Sequence, residues 1–102
     1  MIFQVKYLDD AKQDVREITL YLAQFYARTA RNFTIKLMKQ VNLLRKTPNM
    51  CPVYEDDPFF RRMVIGDYNL FYSVDEQENL VTIHRIFHHS RNISRHLLKH
   101  RT

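Results

Sequence analysis

Residues Phe59–Arg91 read FFRRMVIGDYNLFYSVDEQENLVTIHRIFHHSR. Apolar runs alternate here with two short polar links, the pattern of consecutive β-strands. The first link, Gly66-Asp67, holds the only glycine of the chain. A Gly-X pair favours a type II′ hairpin, whose first central residue needs a positive φ. The second link, Asp75–Asn79, is made of acids and amides and marks a turn. The spacing predicts strands over Phe59–Ile65, Tyr68–Val74 and Leu80–His88. Met63 and Ile65, then Leu70, Tyr72 and Val74, then Val81 and Ile83 line one face of them. An apolar face of that extent needs a cover.

The preceding chain supplies it. Phe3, Val5 and Tyr7 alternate with Gln4, Lys6 and Leu8 in a short first strand. Asp9-Asp10 stops that strand. Asp10 is placed to cap a helix, with Gln13 completing a capping box. Val15, Ile18, Leu22 and Phe25 then recur at helical spacing, and the helix is expected to end near Tyr26. After a break at Arg28-Thr29, Ala30, Phe33, Leu37, Val41 and Leu44 form the stripe of a second helix, which Thr47-Pro48 ends. Asn49–Pro58 is a loop with two prolines. Asn92–His100 is expected to form a short helix with Ile93, Leu97 and Leu98 facing inward. The fold class is α+β: an N-terminal strand, a two-helix hairpin and a three-stranded antiparallel meander, with helices on one face of the sheet.

Length and composition set limits on partners and place. A chain of 102 residues with 45% hydrophobic content makes one domain, residues 1–102, with a modest core. Its formal charge is +5, and the cations are unevenly spread. No acid follows Glu78, whereas all five histidines lie between His84 and His100. This balance suits nucleic acid or an acidic protein. Cys51 is the sole cysteine, so no internal disulfide forms and a reducing compartment fits. Lys6, Asp9 and Asp10 interrupt any leader-like segment, and no run approaches membrane-spanning length. A soluble, cytoplasmic protein with no membrane partner is expected.

In this order, VKYLDDAKQDVREITLYL (5–22), FRRMVIGDYNLFYSVDE (60–76) and VTIHRIFHHSR (81–91) resemble the RelE/ParE superfamily of bacterial toxins from type II toxin–antitoxin modules. The likeness covers nearly the whole chain. It implies the RelE-like fold, growth inhibition, plasmid stabilisation and a cognate antitoxin that wraps the toxin. It implies two activities on one fold. RelE-like members are mRNA interferases, endoribonucleases that cut mRNA in the ribosomal A site. ParE-like members inhibit DNA gyrase. Metal-free, ribosome-dependent mRNA cleavage, with the ribosome and mRNA as partners, is the expected mechanism here because imidazole and guanidinium are concentrated together, and gyrase inhibition is the alternative. An inert member that serves only as an antitoxin partner is a third reading.

Metal-free RNA cleavage needs a group to deprotonate the 2′-hydroxyl, cations to stabilise the phosphorane, and an acid for the leaving oxygen. Guanidinium suits phosphate, and imidazole exchanges protons near neutrality. On this basis Arg62, His88 and Arg91 are the catalytic candidates, and Arg61, His84, Arg85 and His89 the residues expected to touch nucleic acid or another target. By resemblance, Arg62 falls near a lysine used by RelE-like nucleases, and His88–Arg91 fall where those nucleases place basic residues. Asn69 stands where they commonly carry arginine, and the tail lacks a late tyrosine that some of them use. Strand alternation puts His84 and His88 on one face and Arg85 on the other. The competing structural reading pairs Arg85 with Asp67 or Glu17. Phe59-Phe60 beside Arg61-Arg62 is the expected exposed aromatic–basic patch, whereas Tyr68, Phe71 and Tyr72 suit sheet packing. No cofactor is expected. No metal is expected either, since Cys51 is isolated and the histidine-rich tail holds no carboxylate.

Overall fold

The protein is described from a computed structural model over residues 2–90. The expected Asn92–His100 helix and the candidate Arg91 lie outside these residues. The elements run β1 (Gln4–Tyr7), α1 (Asp9–Ala23), α2 (Ala27–Leu43), β2 (Arg61–Ile65), β3 (Tyr68–Asp75) and β4 (Leu80–His88). The sheet order is β1-β4-β3-β2. The meander β2–β3–β4 is antiparallel, and β1 joins it parallel to β4. Parallel pairing requires a crossover, and the α1–α2 hairpin provides it while covering one face.

The covered face carries the main core. Ala11, Phe33, Leu37, Val41 and Leu44 from the helical side meet Met63, Ile65, Leu70, Tyr72, Val81, Ile83 and Ile86 from the strands. Period-2 and period-3.6 patterns thus converge on one apolar layer. Val15, Ile18 and Leu22 pack against it, but Phe25, expected on the same stripe, is exposed. The stripe fails there because α1 ends at Ala23, short of Tyr26, and the break falls at residues 24–26 rather than at Arg28-Thr29.

The start of α1 also differs from expectation. Leu8 occupies the N-cap position without a side-chain bond, and Asp9 and Asp10 lie in the first turn. The reason is the β-ladder. Leu8 N–H still donates to Ile83 O at 3.0 Å, and Leu8 O already accepts from Lys12 N–H at 3.0 Å. Strand passes directly into helix, so the two acids oppose the positive end of the helix dipole instead of capping it. The Gln13 side chain accepts from Arg16 rather than closing a box.

Gly66 has φ +61°, while Asp67 does not have a positive φ, as a type II′ turn requires. At the second link, Asp75 Oδ1 accepts from the N–H groups of Gln77 and Glu78, and Asn79 closes the turn at φ 52°. β4 contains a bulge. Phe71 pairs with Arg85 and Tyr72 with Ile83, so His84 has no opposite number on β3. One extra residue reverses the facing of everything after it.

Candidate target-binding site

The bulge decides where the cationic and imidazole groups point. Before it, Val81 and Ile83 face the helices; after it, Ile86 does. His84 lies on the opposite, open face, beside Phe60 and Phe59 at ring-centroid distances of 5.0 and 5.8 Å. His88 lies on the helix-covered side, against Tyr68 at 5.5 Å. The expectation that His84 and His88 share a face is therefore wrong, because simple alternation skips the bulged residue.

His84 is 8% exposed, and its Nε2 is 2.8 Å from Ser73 Oγ. It belongs to a second, aromatic cluster on the open face, formed by Phe60, Phe71 and Phe87 with Tyr54 packed against it. The loop before β2 holds that cluster down. Tyr54 N–H donates to Phe60 O at 2.8 Å and Arg62 N–H to Pro52 O at 3.1 Å, so residues 52–54 strap the lower edge of β2. Arg61 secures the strap, its Nη1 donating to Cys51 O at 2.7 Å. Phe60 is fully buried, against expectation, whereas Phe59 is 47% exposed. The exposed aromatic–basic patch reduces to Phe59 and Arg62, whose Cζ is 5.9 Å from the ring centroid of the half-buried Tyr54. Asn69, paired between Val64 and Phe87, is buried.

Arg85 is used in the architecture. Its Nε donates to Asp14 Oδ2 at 2.7 Å and its Nη2 to Asp14 Oδ1 at 3.0 Å. The partner is Asp14 on α1, rather than Asp67 or Glu17. Asp14 Oδ2 also accepts from Ile86 N–H at 2.9 Å. The β1 ladder reaches only to Ile83 O, so the Ile86 N–H would otherwise sit at an uncovered edge. One buried carboxylate thus seals the strand edge and binds the guanidinium bidentately. Asp14 escaped the sequence reading, although a signal was present. It lies on the Ala11–Val15–Ile18–Leu22 stripe, and an acid on a buried helix face calls for a cation.

His88 and His89 are exposed at the end of β4, with ring centroids 4.3 Å apart. His88 Nδ1 accepts from Ser90 N–H at 3.3 Å and lies 2.8 Å from Ser90 Oγ. His89 N–H donates to Asp67 O at 2.8 Å and ties this end to the β2–β3 turn. Below them an open groove of about 740 Å³ is lined by Glu17, Ile18, Tyr21, Asp67, Tyr68 and His88, among others. Burial pushes the Tyr68 hydroxyl above its ordinary pKa, and nearby Tyr21 and Asp67 add to the rise.

Arg62 and His88 are not brought together. Arg62 pairs with Phe71 and His88 with Tyr68, three residues further along β3. That is about 10 Å along the strand, with the two side chains on opposite faces. Among the described residues, no group of three or more His, Cys, Asp or Glu could hold a metal. No helix of the described residues is long and apolar enough to cross a membrane.

The family model described as the ParE toxin of the type II toxin–antitoxin system parDE matches residues 5–93. The chain belongs to the ParE toxin family. Solved structures agree with this ParE fold. The chromosomal ParDE toxin–antitoxin system from P. aeruginosa superposes with a TM-score of 0.73 at 17% identity, covering 85% of this chain and 96% of that one. The RelBE2 toxin–antitoxin complex from Mycobacterium tuberculosis gives 0.59 at 19% identity, over 86% and 92%. A mutant of the E. coli toxin RelE in the free state gives 0.64 at 12% identity, over 98% and 94%. No curated protein matches this ParE chain by sequence. The ParE match includes Arg91, and it spans every element from β1 to β4 apart from the first residue of β1.

Proposed function

We propose that this toxin of a type II toxin–antitoxin module inhibits growth by binding its target rather than by cutting it. The target fitting that reading is DNA gyrase, the one the family resemblance assigns to ParE-like members. A cognate antitoxin keeps the toxin silent. The observation that carries the reading is the division of the candidate groups between two faces: Arg62 on the open face, His88 on the helix side, and Arg85 held by Asp14. General acid–base chemistry needs its groups within hydrogen-bond reach of one reacting centre. A cationic binding surface has no such requirement, and dispersed charge suits it.

Ribosome-dependent mRNA cleavage is the second reading, and one observation favours it. His88 and His89 form an exposed imidazole pair beside Ser90. Induction of the toxin without its antitoxin separates the two readings. Gyrase inhibition predicts intact mRNA, altered plasmid supercoiling in the cells, and blocked supercoiling by purified gyrase. Ribosome-dependent cuts in mRNA with unaffected gyrase would overturn the binding reading. Both readings place the protein in the cytoplasm.

A further inference from the structure

The two helices over the sheet differ in charge. α1 carries Asp9, Asp10, Asp14 and Glu17 against Lys12 and Arg16. α2 carries Arg28, Arg31, Lys36 and Lys39 and no acid. The acid-free stretch runs from Ile18 to Tyr54 and also holds Arg45 and Lys46. These six cations exceed the net charge of the whole chain, +5, so the cationic excess does not come from the histidine-rich end alone.

Helical spacing gathers most of these cations on one face. Phe33, Leu37 and Val41 form the buried side of α2. Arg28, Lys39 and, in the turn after the helix, Lys46 lie opposite, flanked by Arg31 and Lys36, and all five are exposed. At 1.5 Å per residue, Arg28 and Lys46 are about 27 Å apart. A shallow depression on this side is lined by Asn32, Ile35, Lys36, Lys39 and Gln40, which sets two amides beside two ammonium groups. Among the described residues, none of the five cations is paired with an acid. Folding does not account for them. Arg28 lies in the first turn, where a cation opposes the helix dipole, and Lys36 and Lys39 are like charges one turn apart. A face that weakens its own helix, and is cationic along its whole length, calls for an anion of matching length.

We propose that the outer face of α2 binds duplex DNA through its phosphates, without reading the sequence. The inference goes beyond the gyrase reading and does not rest on it. An acidic protein segment would need an apolar anchor. The exposed apolar residues of α2, Ile35, Met38 and Leu43, are interleaved with Lys36, Lys39 and Asn42 rather than gathered into one patch. Between Arg28 and Lys46 the only aromatic residue is Phe33, which is buried, so no ring is offered to unpaired bases. The major groove of B-form DNA, about 12 Å wide, matches the width of an α-helix, whereas that of duplex RNA is too narrow. Arg31 and Lys36, on the two flanks, meet phosphates of opposite strands. α1 packs beside α2 and holds it at the mouth of the groove, so the contacts fall on phosphates rather than on base edges.

The test uses the full chain, made without its antitoxin by cell-free synthesis, and a dye-labelled DNA duplex of random sequence, followed by fluorescence anisotropy. The dissociation constant is expected to rise about a hundredfold or more between about 50 and 200 mM salt, as contact with about five phosphates requires. Lys36→Gln/Lys39→Gln is expected to weaken binding about tenfold or more and to lower the logarithmic salt slope by about 2. Lys6→Gln/Lys12→Gln removes the same charge beside β1 and is expected to change binding less than about threefold. Arg28→Gln/Lys46→Gln repeats the test at the two ends of the face, so loss of fold in one pair, seen by circular dichroism, leaves the other to decide. Equal weakening by the β1 pair, tighter binding of single-stranded DNA or of duplex RNA of the same sequence, or no binding at the lower salt overturns the proposal. Displacement of the duplex by polyglutamate at equal charge concentration assigns the face to an acidic protein and also overturns it.

Discussion

The two faces of the sheet are built differently. The covered face is closed by two helices with aliphatic side chains from five elements and little polar content. The open face has only the loop before β2, three phenylalanines, and polar groups set among them: Ser73, His84 and Asn69. The first layer is continuous and supplies most of the burial that stabilises the fold. The second is small and depends on a strap and a few hydrogen bonds. Exposed groups on it, such as Arg62 and Phe59, can change with little cost to folding. Asp14 joins the two regions, reaching from α1 to the β4 edge.

The largest effect is expected at that junction. Asp14→Ala leaves Arg85 without its carboxylate and Ile86 N–H without an acceptor, both in a protected setting. Side-chain exposure is 12% for Arg85 and 6% for Asp14. Loss of about 3–5 kcal/mol in denaturant unfolding is expected. A loss under about 1 kcal/mol would mean that the edge closes without the carboxylate.

Next comes the open face itself. Phe60→Ala is expected to cost about 3–4 kcal/mol, close to a covered-face deletion such as Leu70→Ala. The adjacent Phe59→Ala should cost no more than about 0.5 kcal/mol. Equal and small losses at both phenylalanines would show that the open face has no real core and would sharpen the contrast between the faces.

The Tyr72 hydroxyl anchors the covered face to the loop by donating to Pro48 O at 2.8 Å. Tyr72→Phe is expected to cost about 1 kcal/mol. Its pKa is raised above the ordinary 10.0, by burial first and then by a hydrogen bond with Cys51. The folded state therefore holds this proton more tightly than the unfolded chain. Stability is unaffected below pH 10 and falls as pH rises beyond it. A shallower decline above pH 10 in Tyr72→Phe, measured by unfolding at several pH values, is the expected result; an unchanged slope would place the titration on Tyr7 or Tyr68.

The smallest effect on folding belongs to Arg62→Ala, within about 0.5 kcal/mol. The same change should reduce growth inhibition if the open face meets the target. Full toxicity in a folded Arg62→Ala protein would move the functional surface to the His88–His89 end or to residues beyond Ser90.

Much of the fold was legible because its periodicities are strong. The Gly66-Asp67 turn, the apolar positions of the meander and the Phe33–Leu37–Val41–Leu44 stripe all appear as read. Boundaries were less legible. Asp10 looks like a cap in isolation, but Leu8 is still committed to the β4 ladder, and that long-range bond moves the helix start. The candidate site was legible as a set of residue types and not as an arrangement. Nothing local in Ile83-His84-Arg85 announces a bulge, since it arises from how β3 and β4 come into register.

The sequence by itself determined the element order, the covered face and the excess of cations, because each depends on spacing or composition within short segments. It also carried the family likeness. Tertiary structure alone decided three things: that β1 lies beside β4, that Arg85 serves Asp14, and that Arg62 and His88 face apart. Each depends on a pairing between residues distant in the chain. A one-residue change in register reverses which side of a strand meets solvent, and local pattern cannot report it.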